Sequence, residues 1–199
     1  MVLSGPSGSG KTSITKKLAA EDNELVQSIS ATTRKPRDGE VEGKDYFFID
    51  ESTFSSMVVT GQMIEFTEIY GNFYGTPRKK IQERMDAGLD VIFDIDANGA
   101  KSLKTKLPEH VFSIFILPPS MDELATRLQS RGTESQMNIM QRLSNVREEL
   151  KRIGEYDYVL VNDDFEKSCQ IVKSILEAEI HKRSRISNVS ESLTMMGLN

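Results

Sequence analysis

The sequence predicts an α/β fold in which helices cover both faces of a mostly parallel central sheet. Short apolar runs alternate with segments of helical periodicity, the order expected when each strand is followed by a covering helix. Several runs, such as residues 91–95, are nearly unbroken Val, Ile and Phe, which is typical of strands buried on both faces. A glycine-rich motif also joins the first apolar run to the first helical segment. The 199 residues suit one such domain with small insertions.

Five apolar runs are predicted to be strands of the central sheet, at residues 1–3, 25–29, 91–95, 111–117 and 158–161. Six periodic segments are predicted to be helices, at residues 12–20, 77–87, 97–106, 121–130, 135–153 and 164–182. Asp163 with Glu166 resembles a capping box at the start of the last helix. Only three residues precede Ser4, so either the first strand is short or native residues precede Met1, because a buried strand usually has about five.

Three stretches depart from this alternation. Residues 30–76 are polar and rich in turn residues, and the alternating patterns at 45–49 and 63–70 predict a small antiparallel insertion. Residues 131–136 form a polar hinge between two predicted helices. Residues 184–199 have weak periodicity, so we expect a frayed tail.

The composition excludes several classes of function. Thirty acidic against 25 basic residues leave a net charge of −5, which argues against binding nucleic acid through bulk charge. The single cysteine, Cys169, excludes an internal disulfide and a cysteine-based zinc site, and its apolar surroundings predict burial. His110 and His181 are predicted on the surface. Without an 18-residue apolar run or a leader pattern, we expect a cytoplasmic protein with no membrane partner. The sequence leaves open whether it is a monomer or a homo-oligomer.

Residues 5–12 form the phosphate-binding motif G-x-x-x-x-G-K-[ST], the P-loop, with every required position filled. Its glycines let backbone N–H groups turn inward around a phosphate chain, Lys11 adds positive charge, and the Thr12 hydroxyl can hold Mg²⁺. A chance glycine-rich turn is the alternative, but the flanking strand and helix favour the P-loop, since the helix N-terminus also points at the anion. We therefore expect a nucleoside triphosphate to be bound by Gly5, Pro6, Ser7, Gly8, Ser9, Gly10, Lys11 and Thr12.

A second cluster opens the predicted insertion. Arg34, Arg37 and Tyr46 lie in an extended, turn-rich segment and can converge on a phosphate, a task that suits the planar fork of arginine. The alternative is a solvated loop in which acidic side chains such as Glu40 neutralise the basic ones. On charge alone the solvated loop is favoured.

The wider pattern decides between these alternatives. Residues 30–48 resemble the nucleoside-monophosphate-binding segment of guanylate kinases, S-x-T-T-R-x-P-R-x-G-E-x-x-G-x-D-Y-x-F. Further family motifs follow in order at residues 64–65, 71–76, 94–99, 118–120, 131–134 and 161–164. The resemblance extends from residue 1 to about residue 182.

The resemblance implies Mg²⁺-dependent transfer of the γ-phosphoryl group of ATP to GMP, and to dGMP, within purine nucleotide metabolism and GMP recycling. It also implies a three-layer P-loop fold in one domain at 1–183, with a tail at 184–199. The implied core is 1–29, 77–120 and 154–183, the GMP-binding insertion is 30–76 and the lid region is 121–153.

The resemblance also assigns residues to the acceptor. The implied clamp on the GMP phosphate is Arg34, Arg37, Tyr46 and Tyr74. The implied guanine contacts are Ser30, Glu65, Thr76 and Asp96. Guanine offers an N1–H and an N2 amino group as paired donors, which one carboxylate can accept together, whereas adenine has no such pair. Without the resemblance, Glu65 would be taken for an ordinary strand carboxylate.

Asp94 and Asp96 stand at the end of a predicted strand, where the carboxyl ends of parallel strands face a ligand crevice. From their alternation we expect both on one face, and one can act on Mg²⁺ through water. The residues leave open which one does so; the resemblance implies Asp96 on the substrate side, leaving Asp94 with Thr12 near the metal. Asn162 and Asp163 resemble the adenine-side contact.

Arg127 and Arg131 are four apart on one predicted helix, and Arg142 lies on the next helix beside its core stripe. Taken singly, each is most simply a solvated arginine. The resemblance implies instead that they belong to a helical lid over ATP. Arg131 and Arg142 would then act with Lys11 and Arg37 to stabilise charge on the transferring group.

Two other functions compete with this prediction. A guanylate-kinase-like binding module of a scaffold protein would lack turnover, but such modules typically have a degraded P-loop, and Lys11 and Thr12 are intact here. Another kinase of the same fold would use a different phosphorylated acceptor, but would not be expected to keep both the arginine clamp and Glu65.

Overall fold

The computed structural model of the protein describes residues 1–69, 71–130 and 136–182, with backbone only at 130 and 136–142. Its strands are β1 (Val2–Ser4), β2 (Leu25–Gln27), β3 (Ala31–Thr32), β4 (Phe47–Phe48), β5 (Met63–Ile69), β6 (Asn72–Pro77), β7 (Asp90–Asp94), β8 (Ser113–Leu117) and β9 (Tyr158–Val161). Its helices are α1 (Lys11–Glu21), α2 (Glu51–Val59), α3 (Arg78–Asp86), α4 (Ala97–Lys106), α5 (Met121–Ser130), α6 (Gln136–Lys151) and α7 (Phe165–Ile180).

The central sheet is parallel, with the order β2-β7-β1-β8-β9, which confirms the predicted fold class. Strand β1 lies in the middle, where Val2 pairs with Phe93 on one side and Ser113 on the other. All three residues of β1 are buried, so this short strand is held by neighbours on both edges and both faces. The loop that leaves β1 therefore starts from the best-anchored point of the sheet.

Helices cover both faces of this sheet and give the three predicted layers. On one face, α1 and α7 pack through Ile14, Leu18 and Val172 against Leu3. On the other face, α3 and α4 pack around Val2 through Ile81 and Leu103. Alternate residues of one strand thus supply both cores, as the two-residue period of a strand requires.

A smaller sheet, β4-β3-β6-β5, lies within residues 31–77. Its β3–β6 and β5–β6 pairs are antiparallel, whereas β3 and β4 pair in parallel. The pattern predicted at 63–70 matches β5, but the one at 45–49 yields only the two residues of β4. The prediction omitted α2, whose Phe54 fills the core of this sheet and stacks on Phe73 with ring centroids 5.5 Å apart.

Helix α2 has a local signal in the sequence. The Asp50 carboxylate accepts hydrogen bonds from both the backbone N–H and the hydroxyl of Thr53, so it caps the helix. The Ser and Thr residues that follow Asp50 look like a turn in sequence, because the same residue types favour turns and helix caps. Burial of Phe54 adds the tertiary contact that decides between the two.

Two boundary predictions were wrong in ways that affect the site. Strand β7 ends at Asp94, so Asp96 does not alternate with it along a strand and instead caps α4. At the last helix the N-cap is Asp164, whose carboxylate accepts from the Lys167 N–H, rather than Asp163. Cys169 is buried, as predicted.

Two further observations concern the described residues as a whole. His110 and His181 are exposed, as predicted. Over the ranges 1–69, 71–130 and 136–182, no helix has the length and apolar character needed to cross a membrane.

Candidate functional site

The P-loop leaves β1 and ends at the first residue of α1, so the N-terminus of that helix opens onto the loop. Gly5 and Gly10 have φ angles of 132° and 99°, which L side chains rarely adopt. A Cβ atom at Gly5 would lie 2.3 Å from the Ile116 carbonyl oxygen, and one at Gly10 would lie 2.2 Å from Asn162 Nδ2. Both glycines are therefore required by close packing as well as by backbone conformation.

The Lys11 and Thr12 side chains, at the end of the loop, have different hydrogen-bond partners. Lys11 Nζ donates hydrogen bonds to the carbonyl oxygens of Gly5 and Pro6, at 2.6 and 2.9 Å. The Thr12 hydroxyl donates to Asp94 Oδ2 at 2.5 Å. Thr12 on α1 and Asp94 on β7, the two residues predicted to bind a metal, are therefore in contact. The charge of Lys11 lies over the backbone of its own loop.

One cleft of about 680 Å³ joins the loop to the smaller sheet. The predicted site residues that line it are Gly5, Ser7, Gly8, Gly10, Lys11, Thr12, Ser30, Arg34, Arg37, Tyr46, Glu65, Tyr74, Asp94 and Asp96. Pro6, Ser9 and Thr76 are buried and do not line the cleft.

Glu65 is the most deeply buried acidic group of this cleft, with 2% of its surface exposed. It lies opposite Thr76 in the β5–β6 pair, and the Thr76 hydroxyl donates to its Oε1 atom at 2.6 Å. Burial, reinforced by the nearby charge of Asp96, raises the pKa of Glu65 to about 7 despite that hydrogen bond. A carboxylate held in this way is poised to accept further hydrogen bonds from a ligand.

Asp96 joins Glu65 through the start of α4. Its Oδ1 atom accepts from the Gly99 N–H at 2.9 Å, and its Oδ2 atom accepts from the Thr67 hydroxyl at 3.2 Å. Thr67 also lines the cleft, and sequence reasoning missed it because only the register of β5 brings it beside α4. Asp96 is thus oriented by the central core and the smaller sheet together.

The basic side chains of the second cluster are held unequally. Arg34 pairs with Glu40 at 2.8 Å and lies over the Tyr46 ring, 5.4 Å from its centroid. The Arg37 side chain is exposed and has no hydrogen bond or ion pair with the described part of the chain. The alternative considered from the sequence, a loop in which acidic side chains neutralise the basic ones, therefore holds for Arg34 and Glu40. Arg37 stays available for an anion.

Tyr46 and Tyr74 stand beside these arginines with their rings edge to face, 6.0 Å apart. Burial, with the negative charge of Asp94, raises the pKa of Tyr46 to about 12. The phenol therefore stays protonated at neutral pH and can donate a hydrogen bond to a phosphate oxygen.

Asn162 and Asp163 do not line the cleft. Asn162 is 5% exposed, and its Nδ2 atom donates to the Ser9 carbonyl oxygen at 2.7 Å. Asp163 is exposed, and its carboxylate accepts from the neighbouring Asp164 N–H. The Asn162 amide nitrogen is thus engaged with the P-loop backbone, and the adenine-side contact of these two residues stays a prediction.

The predicted lid is described in part. Arg127 on α5 pairs with Glu123 at 3.0 Å. Arg131 lies outside the described residues, and the side chain of Arg142 on α6 does too. Helices α5 and α6 pack on each other through Leu124, Leu128 and Val146.

Helix α6 contributes two cleft residues that sequence reasoning missed, Asn145 and Glu149. Burial raises the pKa of the Glu149 carboxyl, while the charge of Lys11 opposes the shift. A sequence signal existed, because positions 142, 145 and 149 recur at helical spacing beside the apolar stripe.

The comparisons with known proteins agree with this geometry. The guanylate kinase family profile matches residues 1–179. A guanylate kinase of Clostridioides difficile (strain 630) is 46% identical over 189 residues, which cover 95% of this chain and 92% of the relative. One of Wolbachia sp. subsp. Brugia malayi (strain TRS) is 45% identical over 186 residues, covering 94% and 95%.

A solved structure agrees as well. The crystal structure of guanylate kinase from Anaplasma phagocytophilum has a TM-score of 0.83 and 38% identity, with 100% of this chain and 94% of that chain covered. The parallel sheet, the P-loop and the profile match all lead to one conclusion: the chain belongs to the guanylate kinase family, the enzymes that phosphorylate GMP with ATP.

Proposed function

We propose that this chain transfers the γ-phosphoryl group of ATP to GMP with the P-loop as donor site and the smaller sheet as acceptor site. The observation that carries the proposal is that a triphosphate-binding loop and the buried carboxylate of Glu65 face one cleft. The same acceptor site is expected to take dGMP, and the products ADP and GDP would return GMP to the purine nucleotide pool.

Guanine recognition is assigned to Glu65 and Asp96, with Ser30 and Thr76 beside them. The ionised Glu65 carboxylate accepts from guanine N1–H and N2–H, and Thr76 holds one of its two oxygens, Oε1, by the 2.6 Å hydrogen bond. Adenine carries a lone pair at N1, so it would leave the buried carboxylate unpaired, and this discriminates strongly between the bases.

The acceptor phosphate is assigned to Arg34, Arg37, Tyr46 and Tyr74. Arg37 is free to form a bidentate pair with it, and Arg34 can turn from Glu40 toward the anion. The protonated phenol of Tyr46 adds a neutral donor. Together these groups would hold the phosphate oxygen in line with the γ-phosphorus of ATP.

The reaction needs no covalent intermediate on the protein, because the GMP phosphate attacks directly. Lys11 would leave the carbonyls of Gly5 and Pro6 and follow the transferring group, neutralising charge as it develops. Arg131 and Arg142 are proposed to close from the lid region, 121–153, while the insertion, 30–76, closes from the other side. Closure would exclude water and so prevent hydrolysis of ATP.

The chemistry of the donor set suits Mg²⁺. Thr12 and Asp94 bring a hydroxyl and a carboxylate oxygen within 2.5 Å of each other at the mouth of the P-loop, and both are hard oxygen ligands. Thr12 would bind the ion directly and Asp94 through water; when bound, Mg²⁺ supplies charge neutralisation on the β- and γ-phosphates. Among the described residues no group of three His, Cys, Asp or Glu side chains could hold a metal. Substrate phosphates and water would therefore supply the remaining ligands.

The test is a coupled assay of ADP release with GMP, dGMP, AMP and UMP as acceptors, with and without Mg²⁺. We expect turnover with GMP and dGMP, little with AMP and UMP, and none without Mg²⁺. Equal turnover with AMP would point to another kinase of this fold, and binding of GMP without turnover would point to a binding module. An Arg131→Ala variant with near-normal turnover would remove that residue from the proposed lid.

A further inference from the structure

Asn162 occupies a position that the phosphate-transfer scheme does not use. It follows β9, and its backbone N–H donates to the Leu117 carbonyl at 2.8 Å, which extends the β8–β9 ladder by one residue. This anchors the Asn162 backbone to the central sheet. The side chain, 5% exposed, then reaches the P-loop and donates to Ser9 O at 2.7 Å.

The acceptor of that hydrogen bond belongs to a peptide unit whose orientation matters for phosphate binding. A trans peptide is planar, so its C=O and N–H groups point in opposite directions. When Asn162 holds the Ser9 carbonyl, the Gly10 N–H of the same unit must point away from Asn162. Among the described residues this N–H has no hydrogen-bond acceptor, as expected of a group that awaits an anion.

The packing between the two residues is unusually close. A Cβ atom on Gly10 would lie 2.2 Å from Asn162 Nδ2, well inside van der Waals contact. The second glycine of the motif therefore has two reasons to be glycine: its φ of 99° and the space that the Asn162 amide occupies.

We propose that Asn162 is a positioning residue of the P-loop, which holds the Ser9–Gly10 peptide so that the Gly10 N–H faces the donor phosphates. The amide nitrogen acts on the loop backbone from outside the cleft. Its effect should therefore depend on the polyphosphate of the donor and be independent of the purine. This inference builds on the proposed function, because it assumes that the loop binds a donor polyphosphate.

Three measurements test the proposal with Asn162→Ala and Asn162→Asp: ADP binding by calorimetry without acceptor, GMP binding without donor, and KM and kcat with ATP or ITP. ITP carries an oxygen in place of the adenine 6-amino group. We expect Asn162→Ala to weaken ADP binding at least tenfold and GMP binding less than twofold. The KM values for ATP and ITP should rise by the same factor. Gln170→Ala, which removes an exposed amide from α7, serves as the matched control.

The isosteric variant Asn162→Asp gives a measurement, the pH dependence of ADP affinity, that would not change if Asn162 only stabilised the fold. Asn162→Asp turns a carboxylate toward the Ser9 carbonyl at high pH, but a protonated carboxyl can donate to it. The ADP affinity of this variant, relative to the original chain, should therefore rise as the pH falls from 8 to 5.5.

Four outcomes would overturn the proposal. A loss confined to ATP and absent with ITP would identify an adenine contact. Equal losses of ADP and GMP binding, or collapse of the fold in both variants, would identify a structural residue, and unchanged ADP binding would leave Asn162 without a role. Because ADP and GMP binding are measured without turnover, those two results stand even if the original chain fails to phosphorylate GMP, an outcome that contradicts only the proposed function; the comparison of ATP with ITP is the one measurement that needs turnover.

Discussion

The donor side of the cleft is built mainly from backbone, whereas the acceptor side is built from side chains. The P-loop leaves the buried centre of the sheet, and Gly5 and Gly10 fit against atoms 2.2–2.3 Å from where a Cβ would stand. On the acceptor side, Glu65 and Arg34 are held by partners such as Thr76 and Glu40. Changes on the donor side should therefore affect every triphosphate, and changes on the acceptor side should affect the affinity and choice of the acceptor.

The largest effect is expected for Lys11→Ala, which tests the donor side. Removing a charge that stabilises the transferring group should lower kcat by about 10²–10³-fold, with a smaller change in GMP affinity. The fold should persist, because the Nζ atom of Lys11 bonds to carbonyls of its own loop. Steady-state kinetics and thermal melting measure both quantities.

Lys17→Ala is the matched control for Lys11→Ala. It removes another lysine of α1 whose partners are the surface carboxylates of Glu21 and Glu166. Such pairs contribute little to stability, and kcat should stay within twofold of the original chain. If Lys11→Ala turned over as fast as this control, the donor side would not work through its lysine.

Glu65→Gln tests the acceptor side and should be next in size. The amide keeps the shape of Glu65 but presents an NH₂ group to the guanine donors, so we expect the KM for GMP to rise by about 10²-fold or more. ADP binding should be unchanged, because the P-loop is untouched. Calorimetry with GMP and with ADP measures the two sides separately. Equal losses of GMP and ADP affinity would contradict the division of the cleft into a donor side and an acceptor side.

The raised pKa of Glu65 predicts a pH dependence confined to the acceptor side. Only the ionised carboxylate accepts both guanine donors, so GMP binding releases a proton whenever Glu65 is protonated beforehand. With a pKa of about 7, ionisation of Glu65 should raise GMP affinity about tenfold from pH 6 to pH 8, whereas the pH dependence of ADP affinity should be the same with and without the Glu65 carboxylate. The measurement is calorimetric titration at several pH values.

The GMP phosphate also titrates, with a pKa of about 6, so this profile needs a reference. Glu65→Gln supplies it, because that variant retains the phosphate titration and lacks the carboxylate. The difference between the two profiles belongs to Glu65. If the difference between the two GMP-affinity profiles did not vary with pH, Glu65 would be ionised throughout this pH range. Its burial would then not control its protonation.

The two sides also differ in how far the sequence could predict them. The P-loop is a run of eight consecutive residues, so its strand, turn and helix were all correctly predicted from local pattern. The contact between Thr67 and Asp96 depends on β5 lying beside α4, and the contact between Asn162 and Ser9 joins residues 153 positions apart. No local pattern encodes such pairs, because sheet register and helix docking bring them together.

Helix α2 shows the same limit inside the acceptor side. The cap at Asp50 could have been recognised from the local sequence. Whether the segment that follows forms a helix, however, depends on the burial of Phe54 against β5 and β6. The resemblance to guanylate kinases supplied the acceptor residues. Without it, the arginine clamp would have been interpreted as a solvated loop, and Glu65 would have been interpreted as an ordinary strand carboxylate until its partner Thr76 was known.

The smallest predicted effect concerns Gly99, where α4 meets both acceptor carboxylates. A Cβ atom there would lie 2.7 Å from Glu65 Oε2 and 3.3 Å from Asp96 Oδ1. Unlike Gly5 or Gly10, Gly99 has no positive φ, so alanine is compatible with its backbone and favours the helix by about 0.5–1 kcal/mol. Gly99→Ala should therefore displace the guanine contacts while leaving the helix intact.

We expect Gly99→Ala to raise the KM for GMP by about three- to tenfold, with ADP affinity and the melting temperature nearly unchanged. Gly154→Ala is the control, because a Cβ there meets nothing within 4 Å. A loss of ADP binding in Gly99→Ala would show that the two sides are coupled through α4. An unchanged KM would show that Glu65 can shift by a few tenths of an ångström without consequence, so that the acceptor side tolerates displacements that the tightly packed donor loop cannot.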